Sequence, residues 1–146
     1  MKYLLYIFLL PLLMFTSCDT TSSEDGNLDN MWYLVKVDSL ASGNSKDYRS
    51  KRVFWSFQGT LMQTNCVDSM SLFFMYRFEN KGDMLIVKSP FLYDRVNDDK
   101  PITEQSLDRL RMYGINYLTD SFQIESLHGE TMILKDKKLR LSFERY

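Results

Sequence analysis

The sequence predicts a mainly β protein: an antiparallel up-and-down meander of seven or eight strands, closed or nearly closed as a barrel. Three observations carry this. Short runs of strand-forming residues alternate apolar and polar from Met31 to Tyr146. Turn signals separate those runs at the close spacing of hairpins. A single stretch breaks the pattern, and it has room for only one short helix. Closure is expected because it removes the exposed edges of an open sheet.

The elements follow in order. "MWYLVKVD" is the first strand, and "SLASGNSKDYRSK" after it reads as a long loop, having no apolar periodicity. "RVFWSFQ" puts Val53, Trp55 and Phe57 on one face, with "TLMQTNC" pairing back across Gly59. "SLFFMYRFEN" sends Leu72, Phe74, Tyr76 and Phe78 one way and Phe73, Met75, Arg77 and Glu79 the other. "NKGD" is a hairpin turn leading into "MLIVKS", a strand expected to end at Pro90. A short helix is predicted over 103–113, with a stripe of Ile102, Leu107 and Leu110 and a stop at Gly114. "SFQIESL", "TMILKD" and "KLRLSFERY" close the chain as hairpins. In the last strand Leu139, Leu141, Phe143 and Arg145 share a face.

Residues 1–17 have the order of a secretory signal peptide: the positive Lys2, an apolar core from Tyr3 to Phe15, then the small pair Thr16 and Ser17. The core is short for a membrane span, which needs roughly 20 residues, and Pro11 interrupts it. "FTSC" at 15–18 resembles the lipobox of bacterial lipoproteins, with Phe15 where Leu is usual. That resemblance implies a thioether-linked diacylglycerol on Cys18, removal of the leader before it, and anchoring to the cell envelope, with the outer membrane expected. Acyl chains at about 0.8 kcal/mol per buried methylene anchor stably when two or more are present. Residues 18–29 then read as a flexible tether, polar and acidic, and 30–146 as one barrel domain.

Composition narrows the function. The chain has 146 residues and a net charge of −1, and losing Lys2 with the leader leaves −2. A nucleic-acid partner needs a basic excess that is missing here. With Cys18 assigned to lipid, Cys66 has no disulfide partner and reads as a small buried apolar residue. His128 is the only histidine and falls in the turn "LHGE", so neither a catalytic triad nor a metal ligand set can be assembled around it. Asp98 and Asp99 in "NDDK" lack the spaced oxygen ligands and glycine of a calcium loop. No enzyme chemistry, metal or cofactor is expected.

From Trp32 to the end the chain resembles the small lipocalin-like lipoproteins of the Bacteroidetes. The features are "NMWYLVKV" after an acidic tether, "YGIN" at 113–116, and the closing "FQIESL…MILKD…LRLSFERY". Lipocalins proper carry a glycine where Asn30 stands. The resemblance implies a lipocalin-like barrel, and a last-strand arginine, here Arg145, packed over the first-strand Trp32 to close one end. In bacteria of that phylum exported proteins are O-glycosylated at Asp-Ser/Thr followed by a small or aliphatic residue. "DTT", "DSL" and "DSM" then name Thr20, Ser39 and Ser69 as acceptors, in the tether and two expected loops.

The richest feature is the set of inward aromatics, Trp55, Phe57, Phe74, Tyr76 and Phe78, with Met75, Met84 and Met132 near them in pattern. Two readings stand. An adaptable cavity would hold a small apolar or amphipathic ligand within the barrel or at its mouth. A filled core would make the protein a non-catalytic structural or interaction lipoprotein, an accessory subunit of an envelope assembly. The first predicts a void lined by Trp55, Phe74 and Tyr76; the second predicts none.

Overall fold

The computed structural model describes residues 28–68 and 72–146. The leader, Cys18, Thr20, most of the tether and Ser69 lie outside the described residues.

Ten strands form the sheet: β1 (Met31–Ser39), β2 (Ser45–Asp47), β3 (Val53–Gln58), β4 (Leu61–Cys66), β5 (Phe74–Lys81), β6 (Met84–Leu92), β7 (Lys100–Pro101), β8 (Thr119–His128), β9 (Thr131–Lys135) and β10 (Leu139–Arg145). Eight of them run as an antiparallel meander, β1-β3-β4-β5-β6-β8-β9-β10, and β10 pairs back on β1 to close the barrel. β2 adds to β1 and β7 to β6 outside that ring. The predicted fold class is the observed one.

Alternation puts Trp32 and Leu34, then Trp55 and Phe57, then Phe74, Tyr76 and Phe78, and finally Leu141 and Phe143 in the interior. Register shifts at Leu34/Lys36, Met75/Arg77 and Ile124/Ser126 mark bulges, which bend and twist the strands as closure requires. The bulge opposite Tyr76 corrects one expectation. β6 does not end at Pro90 but runs through it to Leu92, because Ser89 takes a positive φ of 53° and absorbs the missing ladder donor. The Pro90 carbonyl instead accepts the Ile102 N–H at 2.8 Å.

Three further expectations change. The predicted long loop contains β2 and a 3-10 turn at Arg49–Lys51, laid against β1 through Lys36↔Asp47. Met75 and Met84 are half-buried on the outer face, and the interior methionines are Met62 and Met132. Leu28, read as tether, is fully buried, and its carbonyl accepts the Trp32 indole N–H at 3.0 Å.

The helix is present as a 3-10 helix, Glu104–Tyr113, entered with the Thr103 N–H bonded to Ser106 Oγ at 3.0 Å. Its buried residues are Leu107, Leu110 and Tyr113. That spacing of three matches the three residues per turn of a 3-10 helix, which stacks one side chain above the next. The helix stops at Gly114, where φ is +86° and a Cβ would stand 2.8 Å from Leu141 Cδ1. Both the left-handed backbone and the close approach demand glycine.

After Gly114 the chain is tied down by two buried acids. Asp120 accepts the N–H of Asn116 at 2.8 Å and of Ser121 at 3.0 Å. Asp136 accepts the Lys138 N–H at 2.7 Å and that of Leu139, and the Asn116 side chain reaches its second oxygen at 3.1 Å. Burial, with Asp136 close by, pushes the Asp120 carboxyl up to about 6.

Two predictions arise. Gly114→Ala should destabilise the fold by roughly 1–3 kcal/mol, read by denaturant unfolding; a neutral result would mean that Leu141 yields freely. For Asp120 the folded pKa lies above the unfolded one, so its favourable contribution is complete below about pH 4 and is lost as pH rises through about 6. Stability of the native protein relative to Asp120→Asn should therefore fall by roughly 1–3 kcal/mol between pH 4 and 7. A pH-independent difference would contradict the assignment.

Candidate functional site

The residues singled out from sequence as a ligand site do come together. Trp55 and Tyr76 are 0% exposed, Phe74 1%, Phe57 4% and Phe78 5%. Their rings meet one another and their neighbours. Trp55 packs on Phe143 at 5.0 Å and edge-on to Phe122 at 5.5 Å, Phe57 meets Phe78 at 5.2 Å, and Phe74 meets Tyr113 at 5.4 Å. Polar atoms among them are paired: the Trp55 indole N–H donates to the Tyr113 carbonyl at 2.9 Å, and Tyr76 shares a hydrogen bond with Thr64 at 3.0 Å. Burial drives the Tyr76 hydroxyl well above its ordinary pKa, so it stays protonated. A void large enough for a water-sized sphere would leave accessible surface on the side chains around it. Trp55, Phe74 and Tyr76 have essentially none, so they wall no chamber.

Both ends of the barrel are stopped. At the end where the chain enters, Leu28 and Trp32 fill the opening. At the other, the 3-10 helix sets Tyr113 on Phe74, and Arg109 lies 5.3 Å from the Phe74 ring centroid. Arg145 stands opposite Trp32 in the ladder, as its parity requires, but it is exposed, and the indole's hydrogen-bond partner is Leu28. The cation over an interior ring is Arg109, itself exposed, on Phe74, a pairing that a sequence pattern does not reveal.

Other candidates fall elsewhere. Ser39 ends β1 half-buried, with its backbone N–H bonded to the Asn44 carbonyl at 2.8 Å. Cys66 is buried and its thiol donates to the Lys51 carbonyl at 3.0 Å. His128 is exposed at the end of β8. Asp98 and Asp99 lie in an exposed loop, where Asp99 accepts the Asp94 N–H at 3.1 Å. Among the described residues no group of acids, histidines or cysteines is placed to hold a metal ion.

Among the described residues, three open concavities lie outside the packed interior. One of about 620 Å³ sits between the hairpin turns at Gly59 and Gly82, over Phe78, with Asn80 and Lys81 on its wall. A second, of about 440 Å³, is lined by Pro90, Phe91, Pro101, Ile102 and Leu118, with Ser89 and Thr119 at its margins. A third, of about 200 Å³, is lined by Tyr117, Thr119, Asp120, Ser121 and Lys137. Sequence reasoning found none of the three; the second arises where β6 parts from β8, and no alternation records that parting.

Among solved structures the chain is similar to a lipocalin-like protein from Bacteroides uniformis, with 22% identity and a TM-score of 0.61, over 83% of this chain and 100% of that one. It is also similar to an uncharacterized protein from Bacteroides eggerthii, at 16% identity and a TM-score of 0.60, over 82% and 99%. A protein from Burkholderia xenovorans shares 15% identity and a TM-score of 0.52, over 81% and 82%. At these identities the likeness is one of fold. No curated protein sequence matches the chain significantly. The model of the lipocalin-like domain family, however, matches residues 13–146. With that match, a closed eight-stranded meander and a stopped barrel, the chain belongs to the lipocalin-like domain family.

Proposed function

We propose that this chain is a non-catalytic lipoprotein, anchored through Cys18 to the bacterial cell envelope at the outer membrane, whose barrel is a solid scaffold that acts through its outer surface. The lipocalin-like fold supports a ligand-binding barrel in general. In this chain the interior is occupied by its own side chains, and that single observation carries the reading. An apolar guest within the barrel would have to displace rings already in contact and strip the Trp55–Tyr113 and Tyr76–Thr64 hydrogen bonds. Each buried polar group left unpaired costs about 1–3 kcal/mol. The outer wall asks no such cost of a partner, whether an amphiphile or another protein of an envelope assembly.

The anchor rests on the leader and on "FTSC". Two measurements test the two halves. Metabolic labelling with a palmitate analogue should tag the native protein and fail on Cys18→Ser, which should also leave the detergent phase on phase separation; labelling of that variant would refute the anchor. Native mass spectrometry of the protein from its own host, after release from lipid by proteolysis in the tether, should show no adduct that depends on the interior rings. A stoichiometric apolar adduct that is lost in Phe74→Ala would overturn the solid-scaffold reading.

A further inference from the structure

We propose that the groove on the outer wall between β6 and β8 is a binding site for a single-chain amphiphile with an anionic head. The proposal rests on the surface-acting reading above and gives that surface an occupant.

The groove exists because β6 changes partners. From Met84 to Lys88 it pairs with β8, ending at Lys88↔Thr119. Ser89, at φ 53°, then turns the strand, and Phe91 and Leu92 pair with Pro101 and Lys100 of β7 instead. A non-glycine residue in the left-handed region is held there only when its surroundings require it. The two strands part above Thr119, and the gap is floored by Pro90 and Ile102, both buried, and walled by Phe91, Pro101 and Leu118. Its volume of about 440 Å³ is within the roughly 300–1,000 Å³ of ligand pockets. Prolines at two of the five positions leave fewer backbone donors to be satisfied by a guest, which suits a hydrocarbon segment.

Thr119 is also a wall of the smaller polar concavity, so the apolar groove adjoins one lined by Tyr117, Asp120, Ser121 and Lys137. The charge there is sorted by depth. Asp120 is 2% exposed and turns its oxygens to the backbone N–H groups of Asn116 and Ser121. Asp136 does the same with Lys138 and Leu139, and by holding that turn it presents Lys137 and Lys138 to solvent. Lys138 Nζ lies 4.8 Å from the centroid of the Tyr117 ring. A visitor at the mouth meets Lys137 and three hydroxyls, with Lys138 beside them over Tyr117, while Asp120, which also lines the concavity, has its oxygens bonded to the Asn116 and Ser121 N–H groups. An anionic head over Lys137 and Lys138, with its chain along Leu118 and Ile102, satisfies both halves.

The head chemistry is that of a carboxylate or a phosphate, and two probes separate them. Titration of the mature protein with dodecanoate and with dodecyl phosphate, each below its micellar concentration, should show one saturable site for at least one. Whichever binds more tightly names the head. Dodecyltrimethylammonium should bind at least tenfold more weakly. Leu118→Glu and the fully surface change Lys137→Glu should each weaken binding tenfold or more, while Thr60→Glu in the concavity at the opposite pole leaves it unchanged. Unfolding midpoints of all three variants establish that they fold.

No saturable binding of either anion would overturn the groove and leave the solid-scaffold reading intact. Equal binding of the cationic amphiphile would overturn the assigned head. Binding that survives Leu118→Glu and Lys137→Glu but is lost in Phe74→Ala would place the guest inside the barrel and overturn both.

Discussion

The hydrogen bond from the Trp55 indole to the Tyr113 carbonyl, 2.9 Å long and fully buried, is the contact on which the closed state of the barrel depends. It joins the wall to the stopper. Trp55 stands opposite Trp32 in the β1–β3 ladder, so the same indole is linked by register to the plug at the other end. Around it Phe57, Phe122 and Phe143 pack at tilted or edge-on angles, where ring quadrupoles attract. Removing the carbonyl partner would leave an indole N–H buried and unpaired, a loss larger than that of an average hydrogen bond. The barrel is therefore solid by chemistry as well as by volume.

That constraint explains the unusual helix. Runs of 3-10 helix longer than three or four residues are uncommon, because their hydrogen bonds are poorly aligned. Ten residues persist here because a strict three-residue spacing lines up Leu107, Leu110 and Tyr113 along one narrow ridge. An α-helix of the same length would rotate Tyr113 away from Leu107. Gly114 then releases the chain against Leu141, and Asn116 clips it between Asp120 and Asp136. Stopper, glycine and acid clip form one continuous device, which delivers the chain to β8.

Much of this was legible in the sequence, for a physical reason. Alternation is enforced wherever one face of a strand is buried, so Trp55, Phe57, Phe74, Tyr76 and Phe78 were assigned inward by pattern alone. The helix showed itself through Leu107, Leu110 and Gly114. What stayed hidden was whatever alternation does not control. β2 is exposed throughout and has no pattern to read. Pro90 signals a strand end unless a bulge supplies a place for it, and a bulge is a property of two strands together. Arg145 has the right parity to cover Trp32, yet a terminal residue is free to face water. Inward aromatics describe a chamber and a filled core equally well, since the difference lies in ring-to-ring distance and not in residue type. The outer groove is a gap between strands, and its walls come from three separate segments.

The central claim is that no space remains among Trp55, Phe74 and Tyr76. Xenon is the most direct probe, because it enters apolar voids that stay dry. Diffraction from crystals of the protein held under xenon pressure should show no xenon inside the barrel, with any ordered atom confined to the outer groove beside Leu118 and Ile102. A xenon atom seated between the rings of Trp55, Phe74 and Tyr76 would contradict the account and restore an internal chamber.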